Sequence, residues 1–345
     1  MRRLNLVFLG CGAITAAHSR TLARYRDEVR CFYASRDAER AMEFERRFGG
    51  GGSFGSYAAA LADGRMDAAF VATPPHLHLE LTLAALAQGK DVIVEKPAFP
   101  RAADCDVVEQ ARARSGRRVL VAENYCYKPL ARALRAALAS GAVGEPRFVQ
   151  VNAFKSQGGD GWRGDPSLAG GGALLEGGVH WIDFVAHLGP PVVSVHGYRA
   201  GPSHGPERSM LVVVEYAGGA VGALSHSWET PSPLRGLQLS RIRGTEGSIV
   251  FESNGAFVVI WGRRRRVILP GLRDVAGFDA MFRDFLAALR GEREPLMTLA
   301  RAREDLALVE AAYTGGRHGL DAGFADRARR RSAHIDLGHV QGQPA

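Results

Sequence analysis

The stretch Leu4–Thr15, LNLVFLGCGAIT, decides how this chain folds. An apolar run ends in Gly10 and Gly12, and a helix-forming segment follows directly. Gly10 permits a tight turn, Gly12 lets the backbone approach a pyrophosphate, and the free N–H groups of the helix start can bind it. A strand, a glycine loop and a helix are the context of a dinucleotide fingerprint, although Thr15 stands at the third glycine position. The predicted cofactor contacts in this loop are Gly10, Gly12, Ala13 and Ile14.

Up to about residue 122, short apolar runs alternate with helix-length amphipathic segments. This alternation is typical of parallel strands joined by crossover helices, and it predicts an α/β Rossmann domain over residues 1–124. The predicted strands are Leu4–Leu9, Val29–Ala34, Ala68–Ala72, Val92–Val94 and Val119–Ala122. The predicted helices between them are Ala38–Arg47, Leu77–Gln88 and Ala102–Arg114.

After a predicted helix at Leu130–Ser140, the chain becomes rich in β-type segments that glycines interrupt. This pattern predicts an α+β domain with a large, mostly antiparallel open sheet over residues 125–320. Its predicted strands are Phe148–Phe154, Val192–Arg199, Met210–Tyr216, Val221–Trp228, Leu237–Arg243, Ser248–Glu252 and Phe257–Trp261. Its predicted helices are Gly178–Leu188, Met281–Arg290 and Ala300–Tyr313. Residues 321–345 lack apolar periodicity, and we expect a loose tail there.

Length and composition place the chain among globular proteins with two domains. It has 345 residues, of which 46% are hydrophobic and 23% are charged. No apolar run approaches the roughly 18 residues that a membrane-spanning helix needs. The four cysteines form no C-x-x-C pair, so neither a zinc site nor a disulfide framework is predicted. The apolar run near the N-terminus is too short for a signal peptide, and we expect a cytoplasmic protein.

The formal charge of +8 comes from 40 Arg and only four Lys. The Arg residues are scattered, and the two Arg runs lack the interleaved aromatic residues of single-strand binders. We therefore expect neither a nucleic-acid partner nor a membrane partner. Each Lys stands where Arg is the common basic residue, so all four are candidates for chemistry that Arg cannot perform. They are Lys90, Lys96, Lys128 and Lys155.

The end of the second predicted strand indicates which dinucleotide is bound. An NAD site places Asp or Glu there, about 20 residues after the glycines, to hold the ribose 2′-hydroxyl. Here the strand ends in Ser35 and Arg36, which suit a 2′-phosphate, so we expect NADP rather than NAD. The alternative is that Arg36 and Asp37 simply begin the next helix with solvated side chains.

Six segments, in order along the chain, resemble the Gfo/Idh/MocA oxidoreductases, the relatives of glucose-fructose oxidoreductase and inositol dehydrogenase. They are Gly10-x-Gly12, Ala72-Thr73-Pro74-Pro75-His76, Gly89-Lys90-Asp91-Val92-Ile93-Val94-Glu95-Lys96-Pro97, Ala122-Glu123-Asn124-Tyr125, Gly141-x-Val143-Gly144-Glu145 and the block Gly170–Asp183. The resemblance implies a nucleotide-binding domain and a sheet domain, with nicotinamide in the cleft and a sugar or polyol as substrate. Further expected cofactor contacts are Thr73, Pro74, His76, Glu95 and Lys96.

Lys96 follows a predicted parallel strand at its carboxyl end, where ligands bind in such sheets. Its compact cation can polarise a carbonyl or donate to a hydroxyl, so we expect it to be catalytic. In relatives the proline after this lysine often has a cis peptide, which would aim Lys96 into the cleft. His78, a little earlier in the chain, is expected to face solvent.

Helical spacing puts four polar residues of the Gly170–Asp183 block and its continuation on one face. They are Glu176, His180, Asp183 and His187. In the family the histidine is the acid/base, and the carboxylate four residues before it is commonly Asp, whereas this chain has Glu176. We expect His180 to remove a hydroxyl proton, Glu176 to orient or charge the histidine, and Lys96 to stabilise developing negative charge on oxygen. A metal site on the same stripe is the alternative; we expect none, with His187 in the core.

The remaining predicted substrate contacts are less strongly marked. Asp183 is expected to bind substrate, with a structural contact as the alternative. Tyr125 lies beyond the fifth strand, and Trp162 and Arg163 lie in a glycine-rich loop that can fold over the site. A core aromatic residue and a plain surface loop are their respective alternatives. Lys128 precedes Pro129 and is expected to cap that loop.

The predicted function is an NAD(P)-dependent oxidoreductase that transfers hydride between nicotinamide and a secondary alcohol or ketone. The substrate would be a sugar, a cyclitol or a sugar derivative. The alternatives are a redox-neutral, NAD-dependent glycoside-cleaving enzyme and a cofactor-sensing regulator without activity, against which Lys96 and His180 argue. The exposed face of the second sheet predicts a homodimer or homotetramer.

Overall fold

The structure, a computed structural model, describes residues 2–158, 161–202, 204–232, 236–263 and 265–314. The predicted tail, 321–345, lies outside the described residues. Two β-sheets, of six and eight strands, organise the chain. Within the described residues, no helix is long and apolar enough to cross a membrane.

The first sheet is wholly parallel, in the order β3-β2-β1-β4-β5-β6. Its strands are β1 (Leu4–Leu9), β2 (Val29–Ala34), β3 (Ser53–Phe54), β4 (Ala68–Val71), β5 (Asp91–Glu95) and β6 (Val119–Ala122). Its helices are α1 (Ala13–Leu22), α2 (Ala38–Phe48), α3 (Tyr57–Ala62), α4 (His78–Ala87) and α5 (Ala102–Ser115). The Rossmann prediction is confirmed. The strand order reverses between β1 and β4, which is where ligands bind in doubly wound sheets.

The second sheet has the order β14-β13-β12-β11-β7-β10-β9-β8 and is antiparallel except for the β7–β10 pair. Its strands are β7 (Pro146–Phe154), β8 (Val192–Ala200), β9 (Ser209–Tyr216), β10 (Val221–Ser227), β11 (Leu239–Gly244), β12 (Ser248–Glu252), β13 (Val258–Trp261) and β14 (Arg266–Ile268). The predicted α+β architecture is confirmed. The sequence analysis missed β3 and β14, which have two and three residues and carry no long apolar run.

Among the described residues, five further α-helices follow β6 along the chain. They are α6 (Pro129–Ala139), α7 (Pro166–Ala169), α8 (Val179–Ala186), α9 (Phe278–Leu289) and α10 (Leu299–Thr314). α8 lies against β7 and β10, while α10 contacts both α5 and β8. Phe278 and Phe282 of α9 pack edge-on against His18 of α1, with ring centroids 4.9 and 5.3 Å apart. Because α10 contacts β6 of the first sheet as well as β8 of the second, it links the two sheets.

Candidate active site

The glycine loop after β1 fits a dinucleotide. Gly10 has a φ of +113°, and a Cβ there would lie 2.6 Å from the Ala72 carbonyl oxygen, so only glycine permits this approach. A Cβ on Gly12 would meet nothing within 4 Å, which leaves open space above the start of α1. No side chain caps that helix, so its first N–H groups remain for an anion. Thr15 is buried and donates to the Gly10 carbonyl oxygen at 2.7 Å, which explains how threonine replaces the third glycine.

Two exposed arginines lie shortly after β2. Arg36 is the second residue after the strand, and Arg40, in the first turn of α2, donates from its Nε at 3.2 Å to the Cys11 carbonyl oxygen of the glycine loop. Asp37 is engaged as the N-cap of α2, since its carboxylate accepts from Arg40 N at 3.2 Å. The Ser35 hydroxyl accepts from Asp37 N at 3.1 Å. The sequence analysis missed Arg40, whose spacing of one helical turn from Arg36 was the available signal.

A cavity of about 910 Å³ opens where the carboxyl edge of the first sheet meets the second sheet. The predicted site residues that line it are Ile14, Thr73, Glu95, Lys96, Tyr125, Trp162, Glu176 and His180. Lining residues that the sequence analysis did not place there include Lys128, Lys155, His226 and Trp228. The cavity therefore brings together groups from the two halves of the chain.

Lys96 directly follows β5 and is joined to Pro97 by a cis peptide. Its Nζ donates to the Glu176 backbone oxygen at 2.7 Å and lies 3.7 Å from the Glu176 carboxylate. The backbone N–H of Lys96 donates to Glu95 at 3.1 Å. These contacts hold the lysine side chain at the cavity wall, where a further N–H is available to a ligand.

Glu95 positions this strand end. One of its oxygens lies 2.5 Å from His18 Nε2, and the other accepts from Lys96 N. Although burial opposes ionisation, the hydrogen bond and charge of His18 lower the pKa of Glu95. Both carboxylate oxygens have protein partners, so Glu95 orients Lys96, and its cofactor contact stays a prediction.

The hydrogen bond that orients His180 is made with Glu123, which corrects the predicted orienting role of Glu176, whereas the charge of Glu176 does act on His180 and opposes the lowering of its pKa. The two Glu123 oxygens lie 2.6 and 2.7 Å from His180 Nδ1. Glu176 sits in a π-helical turn, Leu174–Gly178, where a spacing of four residues no longer aligns side chains. It contacts Lys96 instead. Glu123 follows β6, and the signal for it was its place at the carboxyl end of a parallel strand.

The surroundings of this pair favour its uncharged forms. Burial lowers the pKa of His180 well below its ordinary value, and the Lys96 cation lowers it further. Burial and the charge of Asp183 raise the pKa of Glu123. The Tyr125 ring stacks on the imidazole, with centroids 4.2 Å apart and an angle of 8°. With Nδ1 engaged and the ring plane fixed, His180 Nε2 is left for proton exchange with a ligand.

Asp183 does not line the cavity, so its predicted substrate contact is wrong and its structural alternative holds. Its side chain is fully buried and accepts from Arg301 Nε at 2.5 Å. Although burial would raise the pKa of Asp183, the Arg301 charge and hydrogen bond hold it below its ordinary value. His187 and Asp305 complete this cluster, with His187 Nε2 3.3 Å from Asp305.

The metal alternative requires the four polar residues of the stripe to converge, and they do not. Glu176 and His180 face the cavity, whereas Asp183 and His187 face Arg301 and Asp305. Among the described residues, Asp183, His187 and Asp305 bring ligand-type atoms within 4.8 Å of one another. The Arg301 guanidinium already supplies the positive charge there, which opposes a second cation.

Other predicted residues lie as follows. His76 is exposed, its Nδ1 lies 3.2 Å from the Leu168 carbonyl oxygen, and it is absent from the cavity lining described above, as are Pro74 and Ala13. The side chain of Arg163 lies outside the described residues.

His78 is buried, not solvent-facing, with its ring nitrogens 2.8 Å from the Thr73 oxygen and 3.0 Å from the Pro97 oxygen. It thus clamps the loops after β4 and β5 together. Lys128 does not cap its loop: its Nζ lies over the Tyr125 ring, 4.1 Å from the centroid.

Comparisons with known proteins identify the family and the fold of this chain. Residues 4–123 match the oxidoreductase family with an NAD-binding Rossmann fold, and residues 131–250 match the GFO/IDH/MocA C-terminal domain. The 1,5-anhydro-D-fructose reductase of Ensifer adhaerens is 28% identical over 313 residues, 84% of this chain and 90% of that protein. D-xylose 1-dehydrogenase (NADP(+)) 2 of Haloferax volcanii is 32% identical over 230 residues, 66% and 68% of the two chains. Levoglucosan dehydrogenase in complex with NADH has the same fold, with a TM-score of 0.80, 24% identity, and coverage of 91% of this chain and 98% of that one. The chain therefore belongs to the Gfo/Idh/MocA family of NAD(P)-dependent oxidoreductases.

Proposed function

We propose that the protein oxidises a secondary alcohol of a sugar, a cyclitol or a related polyol, or reduces the matching ketone, with NADP as its coenzyme. The observation that carries the proposal is the meeting of Lys96 and His180 in one cavity beside the glycine loop, with the buried Glu123 engaging His180 from behind the cavity lining. The names of the relatives, a reductase and a dehydrogenase of sugars, support the substrate class.

The bound nicotinamide supplies or accepts the hydride. In the oxidation, His180 Nε2 takes the proton of the substrate hydroxyl, while Glu123 stabilises the charge that develops on the imidazole through Nδ1. Lys96 donates a hydrogen bond to the same substrate oxygen and stabilises its negative charge. Glu176 holds the lysine, and Tyr125 holds the plane of the imidazole. In the reduction, the same groups act in reverse, with His180 as the acid.

A substrate panel tests this function. Inositols, aldoses and keto sugars are incubated with the enzyme and either nicotinamide coenzyme, and the nicotinamide absorbance is followed. A stoichiometric absorbance change with one of these classes is expected. Glycoside cleavage without net absorbance change would indicate the redox-neutral alternative, and coenzyme binding without turnover would indicate a sensor.

The preference for NADP rests on Ser35, Arg36 and Arg40 at the end of β2, where Asp37 is engaged as a helix cap. Guanidinium groups bind phosphate strongly, so Arg36→Ala combined with Arg40→Ala should weaken NADP binding about tenfold or more and leave NAD binding nearly unchanged. A titration that shows clear NAD preference in the unaltered enzyme would contradict this part of the proposal.

The outer face of the second sheet supports a homodimer or homotetramer. Large apolar side chains from six of its strands are exposed on it: Phe148, Tyr198, Leu211, Val221, Leu239 and Trp261. Exposed apolar surface of this extent is typical of subunit interfaces. Phe148→Lys, at the centre, should shift the mass measured by analytical ultracentrifugation to that of the monomer, and a monomeric parent protein would exclude the interface.

A further inference from the structure

Three of the four lysines of this Arg-rich chain line the active-site cavity. Lys96 is held by Glu176, and Lys155 lies at the exposed rim. The fourth, Lys90, is far from the cavity and donates to the backbone oxygens of Asp63 and Met66 at 2.9 and 2.8 Å. Lys128 remains, and the proposed mechanism does not explain why this lysine lies in the cavity wall.

Lys128 is buried, with 5% of its surface exposed, and its contacts are aromatic. Its Nζ lies 4.1 Å from the centroid of Tyr125 and 5.8 Å from that of Trp181. Within the described part of the chain, its ammonium has no hydrogen-bond acceptor and no ion pair. Its three N–H donors are therefore available to whatever occupies the cavity.

The acidic neighbours do not replace such a partner. Glu252 and Glu123 favour the charge of Lys128 from a distance. The Glu252 carboxylate already accepts from Asn254 Nδ2 at 3.0 Å and from Ala256 N at 3.2 Å, and Glu123 is engaged with His180. A buried cation without a hydrogen-bonded anion is costly, and a cation–π contact offsets only part of that cost.

We propose that Lys128 is a substrate-binding residue that pairs with a carboxylate, so that the enzyme acts on acidic sugars or acidic cyclitols. This inference rests on the proposed function. Tyr125 contacts both His180 and Lys128, and all three residues line the same cavity. In the proposed complex the reacting hydroxyl of a monosaccharide lies at His180 and its carboxylate lies at Lys128.

A carboxylate fits this site better than a phosphate. A single ammonium between aromatic rings balances one negative charge, whereas phosphate sites commonly combine an Arg fork or several N–H donors. Among the described residues of the cavity lining, none is an arginine. Preference for a phosphate is therefore included as one of the possible outcomes of the experiment.

The experiment compares matched sugars that differ only in the acidic group. D-Glucose and D-glucuronate, D-galactose and D-galacturonate, and D-glucose 6-phosphate are tested with the full-length enzyme and NADP. We expect kcat/KM for a uronate to exceed that of its neutral partner by about tenfold or more. Lys128→Met should lower kcat/KM for the uronate by about 30- to 100-fold, chiefly through KM, and change the neutral sugar less than about threefold.

Arg114→Met is the control, because it removes one positive charge from an exposed position on α5, outside the cavity lining. Water screens that charge, so the acid-to-neutral ratio should change less than about threefold. An equal loss for acidic and neutral sugars in Lys128→Met, or a parent enzyme that prefers the neutral sugars, would overturn the inference alone. Preference for the 6-phosphate over both uronates would replace carboxylate by phosphate. Absence of turnover across these sugars and the wider panel would instead count against the proposed function.

Discussion

Helix α8 carries two acid–base pairs three residues apart, and the two differ in what they can do. His180 meets Glu123 at the cavity, while Asp183 meets Arg301 in the interior. Both carboxylates are almost completely buried. The guanidinium of Arg301 stays charged, so it keeps Asp183 ionised and the pair fixed. Burial instead pushes Glu123 and His180 toward their neutral forms, so that pair can exchange a proton.

The lesson of this comparison is that burial does not by itself distinguish a reactive pair from a structural one. The partner decides, because an imidazole has a proton that it can lose near neutral pH and a guanidinium does not. Access decides too, since His180 lines the cavity and Asp183 has no exposed side-chain surface. The following changes are chosen to separate the two pairs by measurement.

Replacing the acid/base should have the largest effect. His180→Ala removes the group that exchanges the substrate proton, and we expect kcat to fall by about 100- to 10,000-fold. Coenzyme affinity, measured by nicotinamide fluorescence, should remain close to that of the parent enzyme, because the glycine loop is unaltered. His204→Ala, at an exposed position, is the control. Near-normal turnover in His180→Ala would exclude the assigned role.

Breaking the interior pair should act on stability. Asp183→Asn leaves the Arg301 charge buried without its anion, and we expect the free energy of unfolding to fall by about 3 to 5 kcal/mol. The folded fraction should retain kcat within about tenfold, with its pH profile moved to lower pH, because the charge of Asp183 raises the pKa of Glu123. Urea denaturation and a pH–rate series measure the two effects. If Asp183→Asn left the free energy of unfolding unchanged but abolished activity, the Asp183–Arg301 pair would be the reactive one and not the structural one.

Removing the carboxylate of the reactive pair should have a smaller kinetic effect and a distinctive pH signature. Because the pKa of Glu123 is raised, oxidation should speed up as pH rises through that pKa, and reduction should slow down over the same range. Glu123→Gln keeps a hydrogen-bond acceptor at His180 but removes this ionisation. We expect kcat to fall by about 10- to 100-fold and the profile between about pH 6 and about pH 10 to flatten. A profile of unchanged shape would assign the titration to another group.

Much of the fold follows from local patterns in the sequence. Parallel strands such as β4 are buried on both faces, so they appear as short apolar runs that the sequence reveals, and the glycine loop marks where the first crossover begins. β3 could not be predicted, because its two residues, Ser53 and Phe54, have no strand pattern of their own and form a strand only by pairing with β2. Long-range pairing of this kind leaves no local signal.

Motifs predicted two of the side chains that line the cavity. Lys96 was marked by its place after a parallel strand and His180 by the glycine-rich block, but the contacts that these side chains make were not predicted. A regular helix would align Glu176 with His180, and the π-turn that prevents it depends on packing around Gly177 and Gly178, where side chains would meet Trp228 and Leu174. Likewise, Lys128 was assigned to its local loop because the aromatic cage around it forms only in the folded protein.

The smallest effect is expected on replacing Lys128. Arg301 is paired with the Asp183 carboxylate, whereas the Lys128 ammonium has no ion pair among the described residues. Burial lowers the pKa of Lys128 from 10.5 to about 8, so the folded state binds this proton less tightly than the unfolded state does. The buried charge of Lys128 therefore lowers the free energy of unfolding. This loss of stability is fully present below about pH 8 and disappears as pH rises to the ordinary lysine pKa of 10.5. Lys128→Met should therefore raise the free energy of unfolding by about 1 to 3 kcal/mol at neutral pH, and the gain should vanish in strongly alkaline solution. Thermal and urea unfolding at both pH values measure it. A variant less stable than the parent at neutral pH would mean that the ammonium supports the fold, whereas added stability together with weaker uronate binding would mean that the lysine serves the ligand.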